Sequence, residues 1–385
     1  GTWTQRAMLK ASDAQTSDIL GEAGLGISDD GQTIVVAARE EDTGGTNAGA
    51  VYVFMAGNST WGSHTQVKLQ ASNKEAGDQF ARCDISGDGN VIIVGAPHED
   101  GPTNSVSSSG AVYMFTRSGN AWSEQQIVRP HDPQVDNYFG IDCTLNRTGS
   151  VAAIAATGDD TTATDSGAVY IFKRIGGTWH QDAKLKVSSP VANNYMGSLA
   201  LSDNGLTLAA GSAGDDTANS PDSGAVFVFT YAAGAWSQTI KLTGSGAGSG
   251  DNLGGRTRIS GAGNTIVAGA RNNDSLASNA GCAYVFAFTG GTWSEVLKIT
   301  SSAGAAGDLL GDSVSISRDG TVICTGSVTA DPSSTNDAGS VNVYRGSGGS
   351  VSQSTSKASF RIGDTLSIGP TGDIGIQTND PAFNL

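Results

Sequence analysis

Acidic residues recur at fixed places in a repeated pattern, and they are the side chains best suited to bind a cation, a sugar or a basic partner. The first set consists of Asp42, Asp100, Asp160, Asp216, Asp274 and Asp331. The second set consists of Asp18, Asp78, Asp136, Asp251 and Asp308, with Asn193 at the sixth place. An aspartate can instead cap its own turn by accepting a backbone N–H. Because a feature present in every repeat usually serves the repeat itself, we favour turn capping and leave a metal site open.

Residues that differ between the repeats are better candidates for a ligand-binding face. They lie in the loops that follow the second apolar strand of each unit, which are long. Binding residues concentrate on loops that a rigid scaffold holds in place. The candidates are Arg39, Glu40, Glu41, His98, Glu99, Arg271, Asn272 and Asn273.

The remaining reactive side chains form no catalytic constellation. The four histidines show neither metal-ligand nor triad spacing; they are His64, His98, His131 and His180. The four cysteines lie unclustered in apolar strands, which favours buried thiols over a disulfide framework or a zinc site; they are Cys83, Cys143, Cys282 and Cys324. No glycine-rich loop opens a helix, so nucleotide binding has no support. The sequence therefore predicts a protein that is not an enzyme and carries no cofactor.

The elements that position these residues follow from an internal repeat of 57 to 61 residues, a period typical of repeat architectures. The segment Gly110–Phe115 occurs six times. Its other copies are Gly49–Phe54, Gly167–Phe172, Gly224–Phe229, Gly281–Phe286 and, in weaker form, Gly339–Tyr344. All six tryptophans occupy one further position of the repeat, which we interpret as packing between repeats; they are Trp3, Trp61, Trp122, Trp179, Trp236 and Trp293.

Each repeat contains four strand-like segments, and Asp-Gly turns such as Asp319-Gly320 join them as hairpins. Four antiparallel strands per unit, repeated around an axis, are typical of a β-propeller blade. The segment Trp3–Lys10 would supply the fourth strand of the last unit. It would thereby close the ring and remove an exposed sheet edge. The sequence predicts an all-β fold, a six-bladed propeller over residues 1–345 closed by its N-terminal strand.

Three motifs resemble the FG-GAP repeat family, whose best-known members form the propeller of integrin α-subunits. They are Phe139-Gly140, Gly95-Ala96-Pro97 and the Gly-Ala-Val-Tyr segments, and the resemblance covers about residues 1–346. It implies a propeller used for extracellular recognition and adhesion. Integrin propellers differ in having seven blades, and some bind calcium in a loop of alternating Asp and Asn. The matching turns here, such as Asp29-Asp30-Gly31 and Asp203-Asn204-Gly205, offer too few oxygen ligands for Ca²⁺.

The C-terminal residues 346–385 lie outside the repeat and differ from it in composition. Residues 346–356 are a Gly/Ser-rich linker. Residues 357–385 alternate Ile and Leu with Gly turns and are too few to build a core alone, so we expect them to pair with copies of themselves. Asp373–Leu385 is similar to a segment of bacteriophage tail fibres that precedes a self-cleaving chaperone domain. This similarity implies a homotrimeric stalk and a chain end left by cleavage or truncation. The start at Gly1, without Met, likewise suggests a processed product or fragment.

Composition limits the classes of partner that this protein could bind. The net charge of −15 argues against nucleic acid, and no apolar run approaches the roughly 18 residues needed for membrane insertion. We therefore predict an extracellular, non-enzymatic attachment head of a viral or phage fibre on the virion surface, binding a host receptor or glycan. Two alternatives stay open. One is a bacterial or algal cell-surface adhesin or filament subunit. The other is a hydrolase on a propeller scaffold, which would require a polar axial pocket with a perturbed acid–base pair.

Overall fold

The computed structural model describes residues 5–57, 61–216, 220–301, 304–330 and 339–346, together with the backbone of residues 358–360, 365–368 and 374–377. All regular structure in these ranges is β-strand. Within them there is accordingly no helix that could cross a membrane.

The strands form six four-stranded antiparallel sheets, named blades one to six in chain order, each with its strands in sequence order from the inside outwards. Blades one to three comprise β1 Leu20–Ile27, β2 Thr33–Ala38, β3 Ala50–Ala56, β4 His64–Leu69; β5 Arg82–Ile85, β6 Val91–Ala96, β7 Ala111–Ser118, β8 Ala121–Val128; and β9 Cys143–Leu145, β10 Val151–Ala156, β11 Ala168–Ile175, β12 Thr178–Leu185. Blades four to six comprise β13 Met196–Leu201, β14 Thr207–Ser212, β15 Ala225–Ala232, β16 Ala235–Leu242; β17 Arg256–Ile259, β18 Thr265–Ala270, β19 Cys282–Thr289, β20 Thr292–Ile299; and β21 Ser313–Ile316, β22 Val322–Ser327, β23 Ser340–Arg345, β24 Ala358–Phe360. A separate hairpin consists of β25 Thr365–Ile368 and β26 Ile374–Gln377. The six-bladed propeller predicted from the repeat is confirmed.

The core lies between the blades rather than within one central volume. Five hydrophobic clusters each join the facing sides of two consecutive blades, from one and two to five and six. Aromatic side chains of the repeat anchor them, for example Phe80 against Tyr113, with ring centroids 5.2 Å apart and an edge-on geometry. These β-branched and aromatic runs form strands that neighbouring blades cover, on both faces in blades two to five and on one face in blades one and six.

Glycines allow the inner ends of neighbouring blades to touch. A Cβ on Gly95, in the second strand of blade two, would lie 2.0 Å from the carbonyl oxygen of Gly140 in blade three. A Cβ on Gly269 would lie 1.9 Å from the carbonyl oxygen of Gly311 in the same way. The Phe-Gly and Gly-Ala motifs of the sequence are therefore two halves of one backbone contact between blades.

Blade six is completed differently from the prediction. Its fourth strand is β24, which pairs antiparallel with β23, Val341 opposite Phe360. The predicted segment Trp3–Lys10 does not supply it: residues 5–10 carry no strand, and residues 1–4 lie outside the described residues. An exposed strand edge accepts any extended segment. The C-terminal segment is joined to β23 by only about a dozen residues, so its loop costs less entropy to close.

The N-terminal segment nevertheless reaches the first blade. The Tyr52 hydroxyl donates to Asp13 at 2.8 Å, as the Tyr113 hydroxyl donates to Asn73 in the next blade. The backbone N–H of Ser12 donates to Gln66, as that of Ser72 donates to Glu124. Residues 12–13 thus make the contacts that the end of a preceding blade's outer strand makes elsewhere.

The boundary between blades six and one, here called the seam, is open. Leu25 of β1 is 68% exposed, whereas the residues at the same register position of the other inner strands are all buried. These are Cys83, Cys143, Leu199, Thr257 and Val314. On the opposite side of the seam, Val341 is 45% exposed, while its five equivalents are fully buried. Five boundaries between blades are thus packed by neighbouring blades. At the seam, Tyr52 and Phe54 of blade one are instead buried against Leu9 and Ala11 of the N-terminal segment, while Leu25 and Val341 stay exposed.

Candidate functional site

Two families of loops share one face of the propeller. In blades one to five, the loop between the second and third strands pairs through its backbone with the loop that enters the next blade. The N–H of Gln79 donates to the carbonyl of Asn47. The N–H of Tyr195 likewise donates to the carbonyl of Asp165, and the N–H of Asn252 donates to the carbonyl of Asp222. The loops that the sequence singled out for binding therefore lie together on one face of the propeller, whose inner strands surround a channel along the axis.

The repeated aspartates after the second strand bind their own loops. Each accepts a hydrogen bond from a backbone N–H five to eight residues further on, as a turn cap does. The pairs are Asp42 with Asn47, Asp100 with Ser108, Asp160 with Asp165, Asp216 with Asp222, and Asp274 with Asn279. Asp331 lies outside the described residues. Among the described residues, no group of three or more His, Cys, Asp or Glu side chains is arranged to hold a metal ion.

Three of the eight predicted binding residues are buried. The Glu41 carboxylate forms a salt bridge with Lys68 at 2.7 Å, and the Glu99 carboxylate forms one with Arg129. Asn273 donates to the Asp251 carboxylate at 2.5 Å. All three hold neighbouring loops together and are not free to meet a ligand.

The other five predicted residues lie nearer the surface. Arg39 pairs with Glu40 at 3.1 Å and with Glu22 at 3.5 Å. His98 packs edge-on against Tyr138, and burial lowers the pKa of its imidazole. Asn272 donates to Asn252 at 2.6 Å. Arg271 pairs with Asp312 at 3.0 Å, and both line a cavity.

That cavity lies on the loop face between blades four, five and six and has a volume of about 440 Å³. Glycines and one alanine form much of its wall, which leaves room for a ligand close to the backbone. Its polar side chains are Tyr195, Asp222, Asn252, Arg256, Arg271 and Asp312. Tyr195 and Asn252 both adopt positive φ angles, 49° and 57°, at the equivalent positions of two consecutive blades. The cavity therefore offers two guanidinium groups beside carboxylate, amide and phenol groups.

Arg256 connects this cavity with the axial channel. It is the first residue of β17 and pairs with Gly269, and Arg82 in β5 pairs with Gly95 at the same register position. The next position on the same side of these strands holds Arg258 in blade five and Asp84 in blade two. At the register positions of Arg256 and Arg258, other blades carry smaller residues, such as Ser198, Ser313 and Ser315. The channel is therefore polar and most highly charged in blades two, three and five.

Two carboxylates of the channel have perturbed acidity. Burial raises the pKa of Asp84 and Asp142, and the positive charge of Arg258 acts in the opposite direction on both. Asp84 accepts hydrogen bonds from the N–H of Leu145 at 2.8 Å and from the hydroxyl of Thr144 at 3.0 Å. Asp142 accepts one from the N–H of Leu199 at 2.9 Å. Each carboxylate thus links its strand to the inner strand of the next blade and also faces charged neighbours.

These channel residues were not among the predicted binding residues, because candidates were sought only in the loops. A signal was present: Arg82-Cys83-Asp84 and Arg256-Thr257-Arg258 place charges at alternate positions of short strands. The corresponding strand of blade one carries glycines, Gly24 and Gly26. Charges that break the repeat inside an inner strand could have marked these residues as candidates, and the tertiary structure shows that they meet.

Comparison with known proteins supports the fold directly. A model described as FG-GAP repeat matches residues 3–54, 64–115, 122–172, 236–286 and 293–344. No curated protein matches the chain. A solved periplasmic gluconolactonase of Pseudomonas aeruginosa is 16% identical with a TM-score of 0.58, and the match covers 92% of this chain and 88% of that one. A putative 6-phosphogluconolactonase of Bacteroides uniformis is 12% identical with a TM-score of 0.53 and the same coverage.

These comparisons correct the functional prediction. Two solved structures with this fold are named as a gluconolactonase and a putative 6-phosphogluconolactonase, and lactonases are enzymes. They overturn the prediction of a non-enzymatic attachment head of a viral or phage fibre. The prediction failed because it took the absence of a loop-borne catalytic motif as evidence against catalysis. At 12% and 16% identity the likeness itself establishes the propeller fold alone.

Proposed function

The chain belongs to the FG-GAP repeat family, and from this premise we propose that it is a propeller hydrolase that opens a small polyhydroxylated cyclic ester at the mouth of its axial channel. One observation carries the proposal. A polar cavity of about 440 Å³ is lined by Arg256. Asp142, a carboxyl of raised pKa, occupies the equivalent register position in blade three and lies outside the residues that line the cavity. The hydrolase alternative required a polar axial pocket with a perturbed acid–base pair; the polar cavity, and the raised pKa values of Asp84 and Asp142, support it.

The groups have complementary roles in such a reaction. Arg256 and Arg271 bind hydroxyl or anionic oxygens of the substrate, since guanidinium groups offer several N–H donors in a fixed plane. Asp142 acts as general base: a raised pKa makes its ionised form a stronger proton acceptor. It takes a proton from water, the water oxygen bonds to the ester carbon, and the ring C–O bond breaks. The proton then passes to the departing ring oxygen, which gives an open hydroxy acid.

The substrate class is supported by the cavity and by the names of the fold relatives. The cavity walls combine cationic, amide and carboxylate groups, which suit a ligand rich in hydroxyl groups. Glucono-lactone is a small ligand of this class, and the two fold relatives are named for gluconolactones with and without a phosphate. It is therefore the first substrate to test.

The experiment follows acid release from glucono-lactone in a pH-stat, above the spontaneous rate, for the wild type and Asp142→Asn. Asparagine keeps an oxygen that can accept the N–H of Leu199, so the variant is expected to fold while losing roughly 100-fold or more in kcat. Arg256→Gln is expected to raise KM. Asp29→Asn, in a hairpin turn on the opposite face, serves as control. Wild-type rates equal to the blank, or full activity in Asp142→Asn, would reject the proposal.

Four sequence predictions remain proposals. They are the lack of a cofactor, the lack of a nucleic-acid partner, a homotrimer formed through residues 357–385 and an extracellular location. The net charge of −15 supports the second. The alternating Ile and Leu of the C-terminal residues support the third.

A further inference from the structure

Two residues that break the repeat meet on the loop face of blade two. His98 lies near the start of the loop between the second and third strands, and Ser108 lies near its end. Both side chains are half-buried, so a small molecule can reach them. In blades one, three, four and five, the position of His98 is occupied by Glu40, Gly158, Gly214 and Asn272, and that of Ser108 by Asn47, Asp165, Asp222 and Asn279.

The side chains of His98 and Ser108 face each other. The Nδ1 atom of the imidazole lies 3.5 Å from the Oγ atom of the serine. This distance is long for a hydrogen bond, as contacts between a nucleophile and its base often are before a substrate binds. The loop thus places a hydroxyl beside an imidazole at two positions that carry other residue types in the four blades just compared.

The backbone of Ser108 is held in a conformation that is rare for serine. Its φ is 46°, in the left-handed region that asparagine and aspartate, the residue types of its equivalents, adopt more readily. Its N–H donates to the Asp100 carboxylate at 2.8 Å, and its carbonyl accepts the N–H of Tyr138 at 3.0 Å. Strain that surrounding contacts maintain is typical of functional sites. These contacts fix the place at which the hydroxyl meets His98.

The imidazole of His98 is suited to accept a proton. Its ring packs edge-on against Tyr138, with ring centroids 5.3 Å apart. Burial lowers the pKa of the ring, the charge of Arg39 acts in the same direction, and the charges of Asp136 and Asp100 oppose both. The ring is therefore neutral at pH 7, and in the tautomer that carries its hydrogen on Nε2, the Nδ1 atom is the acceptor.

We propose that Ser108 and His98 form a nucleophile–base pair that takes an acyl group from small activated esters. The Oγ atom of Ser108 bonds to the ester carbonyl carbon while its proton passes to Nδ1 of His98. The C–O bond to the leaving group then breaks, and His98 returns the proton to the departing oxygen. A water molecule that gives its proton to the same nitrogen releases the acid and restores the serine.

This site is independent of the proposed hydrolase of the axial channel. Neither His98 nor Ser108 lines the cavity that contacts Arg256 and Arg271. A failure of Asp142→Asn to affect lactone hydrolysis would leave the acylation of Ser108 standing. Lactone hydrolysis by a chain in which Ser108 cannot be acylated would in turn leave the channel proposal standing.

The first test is covalent labelling of the full chain with a fluorophosphonate, which forms an O–P bond with an activated serine and releases fluoride. We expect the label on Ser108, identified by peptide mass. Ser108→Asn is expected to remove it, and His98→Asn to slow it at least 100-fold. Both changes introduce residues that other blades carry at these positions, so the loop is expected to keep its conformation. Label at other serines only, no label, or equal labelling rates in wild type and His98→Asn would overturn the proposal.

The matched control is Ser107→Ala, because Ser107 is the exposed neighbour of Ser108 in the same loop. It is expected to label at the wild-type rate. The second measurement follows p-nitrophenolate release from p-nitrophenyl acetate, with the acetyl group located by peptide mass. We expect acetyl-Ser108 in the wild type and in Ser107→Ala, and none at this position in Ser108→Asn. Equal release by the wild type and Ser108→Asn would show that this serine is not the acyl acceptor.

Discussion

At the scale of single residues, the loop face is organised by a buried pair that differs from blade to blade. One member precedes the inner strand and the other follows the second strand. In blade five Asn273 donates to Asp251, and in blade four Asn194 donates to Asp215 at 3.1 Å. In both blades one acid meets one amide. In blade two both members are acids, Asp78 and Glu99, and both are almost fully buried.

The two-acid pair of blade two predicts a pH-dependent penalty. Burial and the negative charges of Glu99 and Glu75 raise the pKa of Asp78 from 3.8 to about 6. A raised carboxyl pKa means that ionisation opposes folding, so the penalty is absent below about pH 4, grows up to about pH 6 and is constant above it. We expect Asp78→Asn to stabilise the protein at pH 7 by up to about 3 kcal/mol and to change little at pH 4, as measured by urea unfolding.

Asp251→Asn is the matched control for this prediction. It changes the same position in blade five, where the carboxylate accepts the Asn273 amide. It is expected to destabilise the protein, because two amides then replace a charge-assisted hydrogen bond. Stabilisation by both variants would contradict the assignment of the penalty to the acid–acid pair.

A second residue-scale prediction concerns Lys68, which bridges the first blade to the N-terminal segment. Its Nζ lies 2.7 Å from the fully buried Glu41 and 2.6 Å from Asp13. Burial alone would raise the pKa of Glu41, but hydrogen bonds from Lys68 and Thr43 leave it below its ordinary value. Lys68→Met leaves the buried Glu41 carboxylate without its cation, and we expect a loss of roughly 3 kcal/mol in the free energy of unfolding.

The comparison for Lys68→Met is a double variant. Glu41→Gln in the same background removes the stranded charge and is expected to recover part of the lost stability. Lys74→Met, whose amine bonds only to the exposed Gln70 amide, is expected to have little effect. An equal cost for the Lys68 and Lys74 variants would show that the buried carboxylate does not depend on its cation.

At the scale of elements, blade-to-blade contact depends on glycines in the second strand. Gly269 faces the carbonyl oxygen of Gly311 in the next blade, and a Cβ there would lie 1.9 Å from it. Gly326 occupies the same position in blade six, where a Cβ would meet only the side chain of Ser313 within 3 Å. We expect Gly269→Ala to cost roughly 1–3 kcal/mol by overpacking and Gly326→Ala to cost much less, in thermal unfolding.

The reason for this difference is the seam. Gly326 lies on the side of blade six that no neighbouring blade covers, so its strand can move outward slightly. A cost for Gly326→Ala equal to that for Gly269→Ala would indicate a covered backbone at this position and a closed ring in solution.

At the scale of the whole molecule, the propeller behaves as an array in which each blade is stabilised by its neighbours. Stability in such arrays approximates a sum of unit terms and nearest-neighbour interfaces. Blades one and six each pack against one blade, whereas blades two to five pack against two. Native-state hydrogen exchange should therefore give lower opening free energies for β2 and β22 than for β10 and β14. Uniform protection across these strands would contradict an open seam.

The sequence determined most of the architecture by itself. Six tryptophans and six segments of the Gly-Ala-Val-Tyr type, three of them variants, determined the number of blades, because each blade repeats the same apolar strands and tight turns. Local chemistry also accounts for the aspartates after the second strands, whose hydrogen-bond partners lie five to eight residues away in their own loops.

Only the tertiary structure decided what depends on residues far apart in the chain. Arg82, Asp84, Asp142, Arg256 and Arg258 meet because six short inner strands converge on one axis, and no sequence spacing encodes that convergence. Two segments with similar strand-forming sequences, Trp3–Lys10 and Ala358–Phe360, could likewise have supplied the fourth strand of blade six. Backbone pairing does not discriminate between them, so loop-closure entropy and the packing of the ring decided which one completes the sheet.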